Sequence, residues 1–301
     1  MTLTGQHQTI VGQAFTAHKG PVELFAWRKR IGKAAAPVLL LVHGSSLSAL
    51  PTYDLAVPGK SDYSMMEWFA RWGFDVWTCD HEGYGHSTLT EGNSDVATGA
   101  ADLAVVTDLI VRETGVARVH LYGLSSGALR AARFASEHPE RVARLALDGF
   151  VWTGEGSVTL AKRREGADYF RTHHRRPINR TSIESIFLRD HPGTSEPEVM
   201  RACADAQLAY ADSVPTGTYL DMTCNLPVVD PHSVGAPTLV ARGEHDGIAS
   251  MGDLLEFFKR LPANDKQFAV IPGLAHLTSL GLERRRMWEM VRAFLKSDQP
   301  Q

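Results

Sequence analysis

Near-continuous apolar runs alternate with amphipathic segments along most of the chain. The apolar runs are PVLLLVHG, FDVWTCD, VHLYGLS, RLALDGF, PTLVARGE and KQFAVIPG, which begin at residues 37, 74, 119, 144, 237 and 266. Runs of this kind, without polar alternation, are typical of strands buried on both faces of a parallel sheet. The amphipathic segments between them end near Gly, Pro or basic residues, as helices do. The pattern therefore predicts an α/β fold, with a mostly parallel twisted sheet covered by helices on both faces.

Two regions depart from this alternation. Near the start, QTIVGQAFTA and PVELFAWRK alternate apolar with polar residues on either side of a short turn, which predicts a β-hairpin. From residue 151 to residue 233 no apolar strand-like run occurs, and the segments compatible with helices are interrupted by prolines. We therefore expect an α/β core made of residues 1–150 and 234–301. Residues 151–233 are expected to form a mostly helical cap, inserted after the sixth strand.

Composition narrows the classes of function. The chain has 301 residues, 44% of them hydrophobic, so it can bury a large core. Its formal net charge is −3, so it lacks the excess of basic residues that would favour nucleic-acid binding. Its start, MTLTGQHQTIVGQAF, lacks a signal-peptide pattern, and its apolar runs are far shorter than the roughly 18 residues of a membrane span. We expect a cytoplasmic protein that acts on a small molecule, with no nucleic-acid or membrane partner. A homodimer is left open.

The sequence gives no support for a metal site or a disulfide framework. The three cysteines, Cys79, Cys203 and Cys224, are scattered and lack the CxxC spacing of zinc sites. His173 and His174 are adjacent, and neighbouring side chains on a helix do not face each other. We therefore expect no metal and no cofactor.

The stretch VHLYGLSSGALRAARFA holds two adjacent serines where a predicted strand changes into a predicted helix. Residues 123–127 fit the pattern G-x-S-x-G, with Ser125 in the middle. Small flanking residues permit the sharp turn that lifts a serine hydroxyl to the carboxyl edge of a sheet, beside the amides of a helix N-terminus. Ser125 is therefore the candidate nucleophile.

A serine hydroxyl is a poor nucleophile unless a base removes its proton. His276 is the candidate base, in the loop after the last predicted strand, and Asp246 is the candidate acid, in the loop after the strand before it. The acid would fix the tautomer of the imidazole and stabilise the imidazolium. All three residues follow predicted core strands. Glu244 and His245 compete locally with Asp246.

These motifs resemble those of the α/β-hydrolase superfamily, and the resemblance covers nearly the whole chain. Besides the G-x-S-x-G turn, the chain has VHG at the end of a predicted strand, and DHEGYGHS begins at Asp80, where the family shows HG-x and D-x-x-G-x-G-x-S. Glu82 stands where the family often has arginine, which weakens assignment to a subfamily. The resemblance implies a cap after RLALDGF and a Ser–His–Asp triad. Some relatives carry the acid one strand earlier, where this chain has Asp148.

The resemblance also implies a reaction. Ser125 would attack a carbonyl carbon, while His276 takes its proton and later gives it to the leaving group. The backbone N–H groups of Ser126 and Ser45 would hold the oxyanion, with Ser46 as the alternative to Ser45. A serine at this turn argues against haloalkane dehalogenases and epoxide hydrolases, which use aspartate there.

We therefore expect a carboxylic-ester hydrolase for a small to medium, partly apolar substrate. A carbon–carbon bond hydrolase for a diketone or dienoate acid is the alternative enzyme, and a non-catalytic ligand-binding relative is the alternative outside enzymes. The basic residues between Lys162 and Arg180 suit either a solvated helix face or the binding of a substrate carboxylate. In the long loop after the third strand, Tyr53, Leu55 and Tyr63 are expected to line the pocket.

Overall fold

The computed structural model describes residues 9–32 and 35–297, so residues 1–8 of the stretch inspected for a signal peptide lie outside the described residues. Its strands are β1 (Ile10–Lys19), β2 (Val22–Ile31), β3 (Val38–Val42), β4 (Asp75–Cys79), β5 (Val119–Leu124), β6 (Val142–Asp148), β7 (Arg175–Pro177), β8 (Ser213–Pro215), β9 (Thr238–Gly243) and β10 (Lys266–Ile271). Its helices are α1 (Ala49–Tyr53), α2 (Met65–Arg71), α3 (Val96–Thr114), α4 (Ser126–Glu137), α5 (Val158–Arg164), α6 (Ala167–Thr172), α7 (Arg180–Leu188), α8 (Pro197–Leu208), α9 (Gly217–Leu220), α10 (Met251–Arg260) and α11 (Arg284–Leu295).

Eight strands form one sheet in the order β1-β2-β4-β3-β5-β6-β9-β10. The β1–β2 hairpin is antiparallel and β2 is antiparallel to β4, whereas the remaining pairs are parallel. In the centre of the sheet, Leu40 of β3 pairs with Trp77 of β4 and Leu121 of β5. The predicted fold, a mostly parallel sheet with an N-terminal hairpin, is confirmed.

Both faces of the sheet are covered, as the apolar runs predict. Successive side chains of a strand point to opposite faces, so Leu40 joins the apolar cluster that includes α3, α4 and α10, while Leu41 joins the cluster that includes α2 and α11. All five residues of β3 are buried. Because neither face of this strand is open to water, its sequence has no polar alternation.

The segment between β6 and β9 contains helices α5–α9 and a two-stranded antiparallel sheet formed by β7 and β8. Helix α7 begins with a capping box, in which Asn179 and Ser182 satisfy each other's backbone N–H groups, and it packs on α8. The short strands β7 and β8 were not expected, because three residues carry too little periodicity to be recognised. None of the helices in the described ranges is long and apolar enough to cross a membrane.

The carboxyl ends of the parallel strands place their following loops along one edge of the sheet. Gly44 follows β3, Ser125 follows β5, Asp246 follows β9 and His276 follows β10. In open α/β sheets, ligands bind in the crevice outside this edge. The fold therefore brings together residues that are far apart in the sequence.

Candidate active site

Ser125 lies at the sharp turn between β5 and α4. Its backbone has φ 59° and ψ −127°, a left-handed conformation that non-glycine residues rarely adopt. A Cβ added to Gly123 would collide with the backbone of α4, and one added to Gly127 would collide with the carbonyl of Val42 on β3. The glycines on either side of the serine are therefore required by close backbone packing, which explains the G-x-S-x-G pattern.

His276 contacts the serine and an acid with its two ring nitrogens. Its Nε2 lies 2.8 Å from the Ser125 hydroxyl oxygen, and its Nδ1 lies 2.9 Å from Oδ2 of Asp246. An ionised Asp246 accepts a hydrogen bond from Nδ1–H, which leaves Nε2 unprotonated and able to take the proton of the serine hydroxyl. The three residues singled out from the sequence thus meet at one edge of the sheet.

Asp246 is held as a carboxylate by the loop around it. Its second oxygen, Oδ1, accepts hydrogen bonds from the backbone N–H groups of Ile248 and Ala249, at 2.8 and 2.9 Å. Burial on its own would raise the pKa of Asp246, but His276 and these two amides outweigh burial and lower the pKa below its usual value. The acid is therefore fixed in orientation and charge.

Asp148, the alternative acid, is buried in a different hydrogen-bonding environment. Its Oδ2 accepts hydrogen bonds from the Tyr122 hydroxyl, at 2.5 Å, and from the Thr278 hydroxyl. Among the described residues its Oδ1 has no hydrogen-bond partner. Burial, the dominant influence, raises the pKa of Asp148 to about 7. Neither Asp148 nor Glu244, which accepts from the Gly273 amide, makes a hydrogen bond with His276.

The loop after β3 approaches the serine closely. A Cβ added to Gly44 would lie 3.3 Å from Cβ of Ser125, and Ser45 lines the same pocket. The buried His43 holds this loop, because Nδ1 donates to the Gly44 carbonyl at 2.8 Å and Nε2 accepts from the His81 amide at 3.2 Å. Burial lowers the pKa of His43 to about 3, so the ring is neutral and suits a structural role.

A pocket opens beside Ser125 and His276, and it measures about 460 Å³ when the space open to solvent is included. Its apolar lining consists of Leu47, Leu124, Ile186, Ile248 and Leu277. Arg163 and Arg189, from the segment between β6 and β9, also line it. The expectation that Tyr53, Leu55 and Tyr63 line the pocket is wrong, because none of the three is among its lining residues and all three are buried.

The basic residues between Lys162 and Arg180 include two contrasting pairs of arginines. Arg171 pairs with Asp168 and Arg180 pairs with Asp205 at exposed positions, as a solvated face requires. Arg163 and Arg176, by contrast, turn towards the ring of Tyr219, which the sequence did not single out. The direction of an arginine side chain depends on tertiary packing, so the sequence alone left both interpretations open.

Comparison with known proteins gives the family. The family model described as serine aminopeptidase, S33, matches residues 59–282. A 2-hydroxy-6-oxononadienedioate/2-hydroxy-6-oxononatrienedioate hydrolase from Paraburkholderia phymatum is 32% identical over 187 residues, 60% of this chain and 59% of that relative. A protein of the same description from Burkholderia vietnamiensis is 28% identical over 75% of this chain and 77% of its own length. The chain thus spans less than two thirds of the first relative.

Solved structures share the fold at low identity. An E-2-(acetamidomethylene)succinate hydrolase superposes with a TM-score of 0.70 at 17% identity, covering 95% of this chain and all of that one. A thermophilic esterase from Thermogutta terrifontis gives a TM-score of 0.66 at 21% identity, covering 94% and 98%. The family match extends over most of the described residues, and the sheet order and the strand-to-helix turn agree with it. The chain belongs to the serine aminopeptidase S33 family of α/β-hydrolases.

Proposed function

We propose that Ser125, His276 and Asp246 are a catalytic triad that hydrolyses its substrate through an acyl-enzyme. The observation that carries the proposal is the position of His276, 2.8 Å from the serine hydroxyl and 2.9 Å from the carboxylate. His276 takes the serine proton as Ser125 attacks a carbonyl carbon, and then protonates the leaving group. In the second half, His276 deprotonates a water molecule that releases the acyl group.

The negative charge on the carbonyl oxygen requires donors at fixed positions. We assign this role to the backbone N–H groups of Ser126, at the start of α4, and Ser45, after β3, with Ser46 as the alternative to Ser45. The positive end of the α4 dipole adds to this stabilisation. Loss of one such donor typically costs about 3 to 4 kcal/mol of transition-state stabilisation. The residues of the insertion, 151–233, act in this proposal as a cap that covers the site.

The bond cleaved, in this proposal, is a carbon–carbon bond next to the ketone of an acid. Support comes from the two curated relatives, whose descriptions name hydrolysis of oxo-dienedioates. The 2-hydroxydiene first tautomerises to the 2-oxo-enoate, losing the hydroxyl proton and gaining one at the carbon next to the ketone. The carbon–carbon bond then breaks as the tetrahedral intermediate collapses, and its electron pair leaves as a conjugated enolate that takes the proton from His276. The cap arginines Arg163 and Arg189, beside the pocket, suit an anionic substrate.

Ester hydrolysis is the second candidate. The observation that favours it is the mainly apolar lining near Ser125, which includes Leu124, Ile248 and Leu277. A serine triad with backbone oxyanion donors needs no further group to cleave an ester. Apart from the tautomerisation, the two candidate reactions differ only in the group that leaves when the acyl-enzyme forms. Comparison of kcat/KM for a carbon–carbon substrate and an ester therefore distinguishes them.

Covalent labelling tests the triad. A fluorophosphonate probe is expected to label the wild type rapidly, to leave Ser125→Ala unlabelled, and to label Ser136→Ala, a control serine on the same helix, like the wild type. A folded wild type that resists the probe would indicate a non-catalytic ligand-binding protein. For the bond, kcat/KM for 2-hydroxy-6-oxononadienedioate is expected to exceed that for p-nitrophenyl butyrate by at least about tenfold. The reverse preference would select the ester hydrolase.

A further inference from the structure

A second cavity lies beneath the cap, next to the pocket of the triad. Its volume is about 1160 Å³ when the space open to solvent is included. It shares four lining residues with the first pocket: Ser46, Arg163, Ile186 and Arg189. The boundary between the two spaces therefore consists of side chains. Its remaining lining includes Lys162, Arg176 and Tyr219, and none of its lining residues is acidic.

Arg163 and Arg176 meet at this boundary on one aromatic ring. Each guanidinium carbon lies 4.2 Å from the centre of the Tyr219 ring, within the range of cation–π contact. Arg176 also donates to the hydroxyl of Ser46 at 2.8 Å. Ser46 is one residue beyond the proposed oxyanion donor Ser45, so the arginine pair stands beside the reaction site.

The two arginines are not neutralised by a carboxylate of the described residues. Among the described residues, no carboxylate lies within ion-pair distance of Arg163 or Arg176, whereas Arg189 pairs with Asp190. Arg176 Nε is buried and has no hydrogen-bond partner in the described part of the chain. Burial lowers the pKa of Arg163, with Arg189 and Arg176 adding to the effect. Unpaired guanidinium groups at a cavity are costly, and a bound carboxylate satisfies them with paired hydrogen bonds.

We propose that Arg163 and Arg176, with the hydroxyls of Ser46 and Tyr219, form a binding site for a carboxylate of the substrate. This inference rests on the proposed function and narrows it: the substrate is an acid whose carboxylate occupies the boundary between the cavities while its carbonyl lies at Ser125. The planar forks of the arginines suit a bidentate carboxylate. The apolar residues of the first pocket then contact the chain that joins the carboxylate to the carbonyl.

Binding to an inactive variant tests this site without catalysis. Succinate, glutarate and adipate are titrated into Ser125→Ala by calorimetry, with glutaramide as the uncharged analogue. At least one dicarboxylate is expected to bind, and glutaramide at least about tenfold more weakly. When Arg163→Gln or Arg176→Gln is combined with Ser125→Ala, the affinity for the dicarboxylate is expected to fall by about tenfold or more. Arg171→Gln, an exposed cap arginine paired with Asp168, is the matched control and leaves binding unchanged.

Thermal unfolding of each variant confirms that it folds. The inference is overturned if no dicarboxylate binds Ser125→Ala, if glutaramide binds equally well, or if the arginine variants bind like the control. Failure of the proposed function gives a different result from failure of the carboxylate site. In that case fluorophosphonate does not label the wild type, while the dicarboxylates still bind. A second measurement compares kinetics on p-nitrophenyl hydrogen glutarate, which carries a carboxylate, with those on neutral p-nitrophenyl pentanoate. In Arg163→Gln we expect a higher KM for the acidic ester only, with little change in kcat.

Discussion

The hydroxyl of Thr278 donates a hydrogen bond to the carboxyl of Asp148, across 130 positions of the chain. Thr278 lies two residues after His276, and Asp148 ends the strand β6, whose last carbonyl accepts from the Ser125 amide at 2.8 Å. One residue thus ties together the loop of the base and the turn of the nucleophile. Asp148 acts on the site by positioning, while Asp246 carries the contact with the imidazole.

The raised pKa of Asp148, about 7, predicts how stability changes with pH. A carboxyl whose pKa is higher in the folded state binds its proton more tightly there, so its contribution is fully present at low pH and is lost as pH rises towards 7. Asp148→Asn has no such proton, and its free energy of unfolding is expected to fall less between pH 5 and pH 8 than that of the wild type. Urea unfolding at several pH values measures this. Parallel pH dependence in the two proteins would contradict it.

Kinetic measurements distinguish the two candidate acids, Asp246 and Asp148. In Asp246→Asn the amide oxygen is expected to take the hydrogen bonds from the Ile248 and Ala249 amides, so the NH2 group faces Nδ1 of His276 and favours the wrong tautomer. We expect kcat to fall by about 10³- to 10⁴-fold. Asp148→Asn keeps an oxygen that can accept from Tyr122 and Thr278, so a far smaller loss of kcat is expected. Steady-state kinetics on one substrate compares the variants. Equal losses would mean that Asp148 shares the role of the acid.

Gly149 offers a test of how tightly the imidazole must be held. Its φ is +58°, and an added Cβ would lie 3.1 Å from both Cε1 and Nδ1 of His276. Gly149→Ala is therefore expected to displace the ring and to lower kcat by about tenfold to 100-fold. Gly115→Ala is the control, because Gly115 has φ +75° and nothing within 4 Å of an added Cβ.

Both glycine variants introduce a side chain in the left-handed region, so each is expected to lose about 1–2 kcal/mol of stability. Only Gly149→Ala is expected to lose activity. Comparison of unfolding midpoints with kcat separates backbone strain from displacement of the base. Full activity in Gly149→Ala would show that the ring tolerates movement.

Tyr219 makes the proposed carboxylate site sensitive to pH. Burial on its own would raise the pKa of Tyr219, but Arg163 of α5, Arg176 of β7, the Ser46 hydroxyl and Arg189 after α7 outweigh burial and lower it to about 7. Above that pH the phenolate neutralises the cluster and competes with a bound carboxylate. Dicarboxylate affinity is therefore expected to fall by up to about tenfold between pH 6 and pH 8.

Calorimetry with Ser125→Ala, with and without Tyr219→Phe, measures this effect. The phenylalanine keeps the ring under the two guanidinium groups and removes the ionisable hydroxyl. The dicarboxylate affinity of the Tyr219→Phe protein is therefore expected to be constant between pH 6 and pH 8. Both proteins bind the same ligand, whose own ionisation is common to the two titrations, so the difference between their slopes is assigned to Tyr219. The same slope in both proteins would exclude Tyr219 as its source.

The sequence predicts the sheet well because its strands are buried on both faces. Runs such as VLLLV indicate burial on both faces, and the loop that follows such a run lies at the carboxyl edge of the sheet. That rule located Ser125, Asp246 and His276 before their contacts were known. It says nothing about which loop folds over which, so Asp148 and Asp246 could be distinguished only by their hydrogen bonds.

The detail of the segment between β6 and β9 could not be predicted from the sequence. The strand β7 begins with two arginines and has no apolar run, so nothing in its sequence indicates a strand. The same arginine-rich sequence suits a solvated surface, and the inward direction of Arg163 and Arg176 depends on the placement of Tyr219 about 50 positions later. Tyr53 and Tyr63 were misplaced for a related reason, because a long loop can send its aromatic residues into the core as well as into a pocket.

The boundary between the two cavities is built from side chains of the loop after β3 and of the segment between β6 and β9, and no strand of the eight-stranded sheet contributes to it. Point substitutions there change the width of the passage and its charge without disturbing the backbone that aligns Ser125 and His276. If the proposed carboxylate site is correct, substitutions at this boundary can change which acids bind, at little risk to folding. The same feature makes the boundary a practical target for redesigning selectivity.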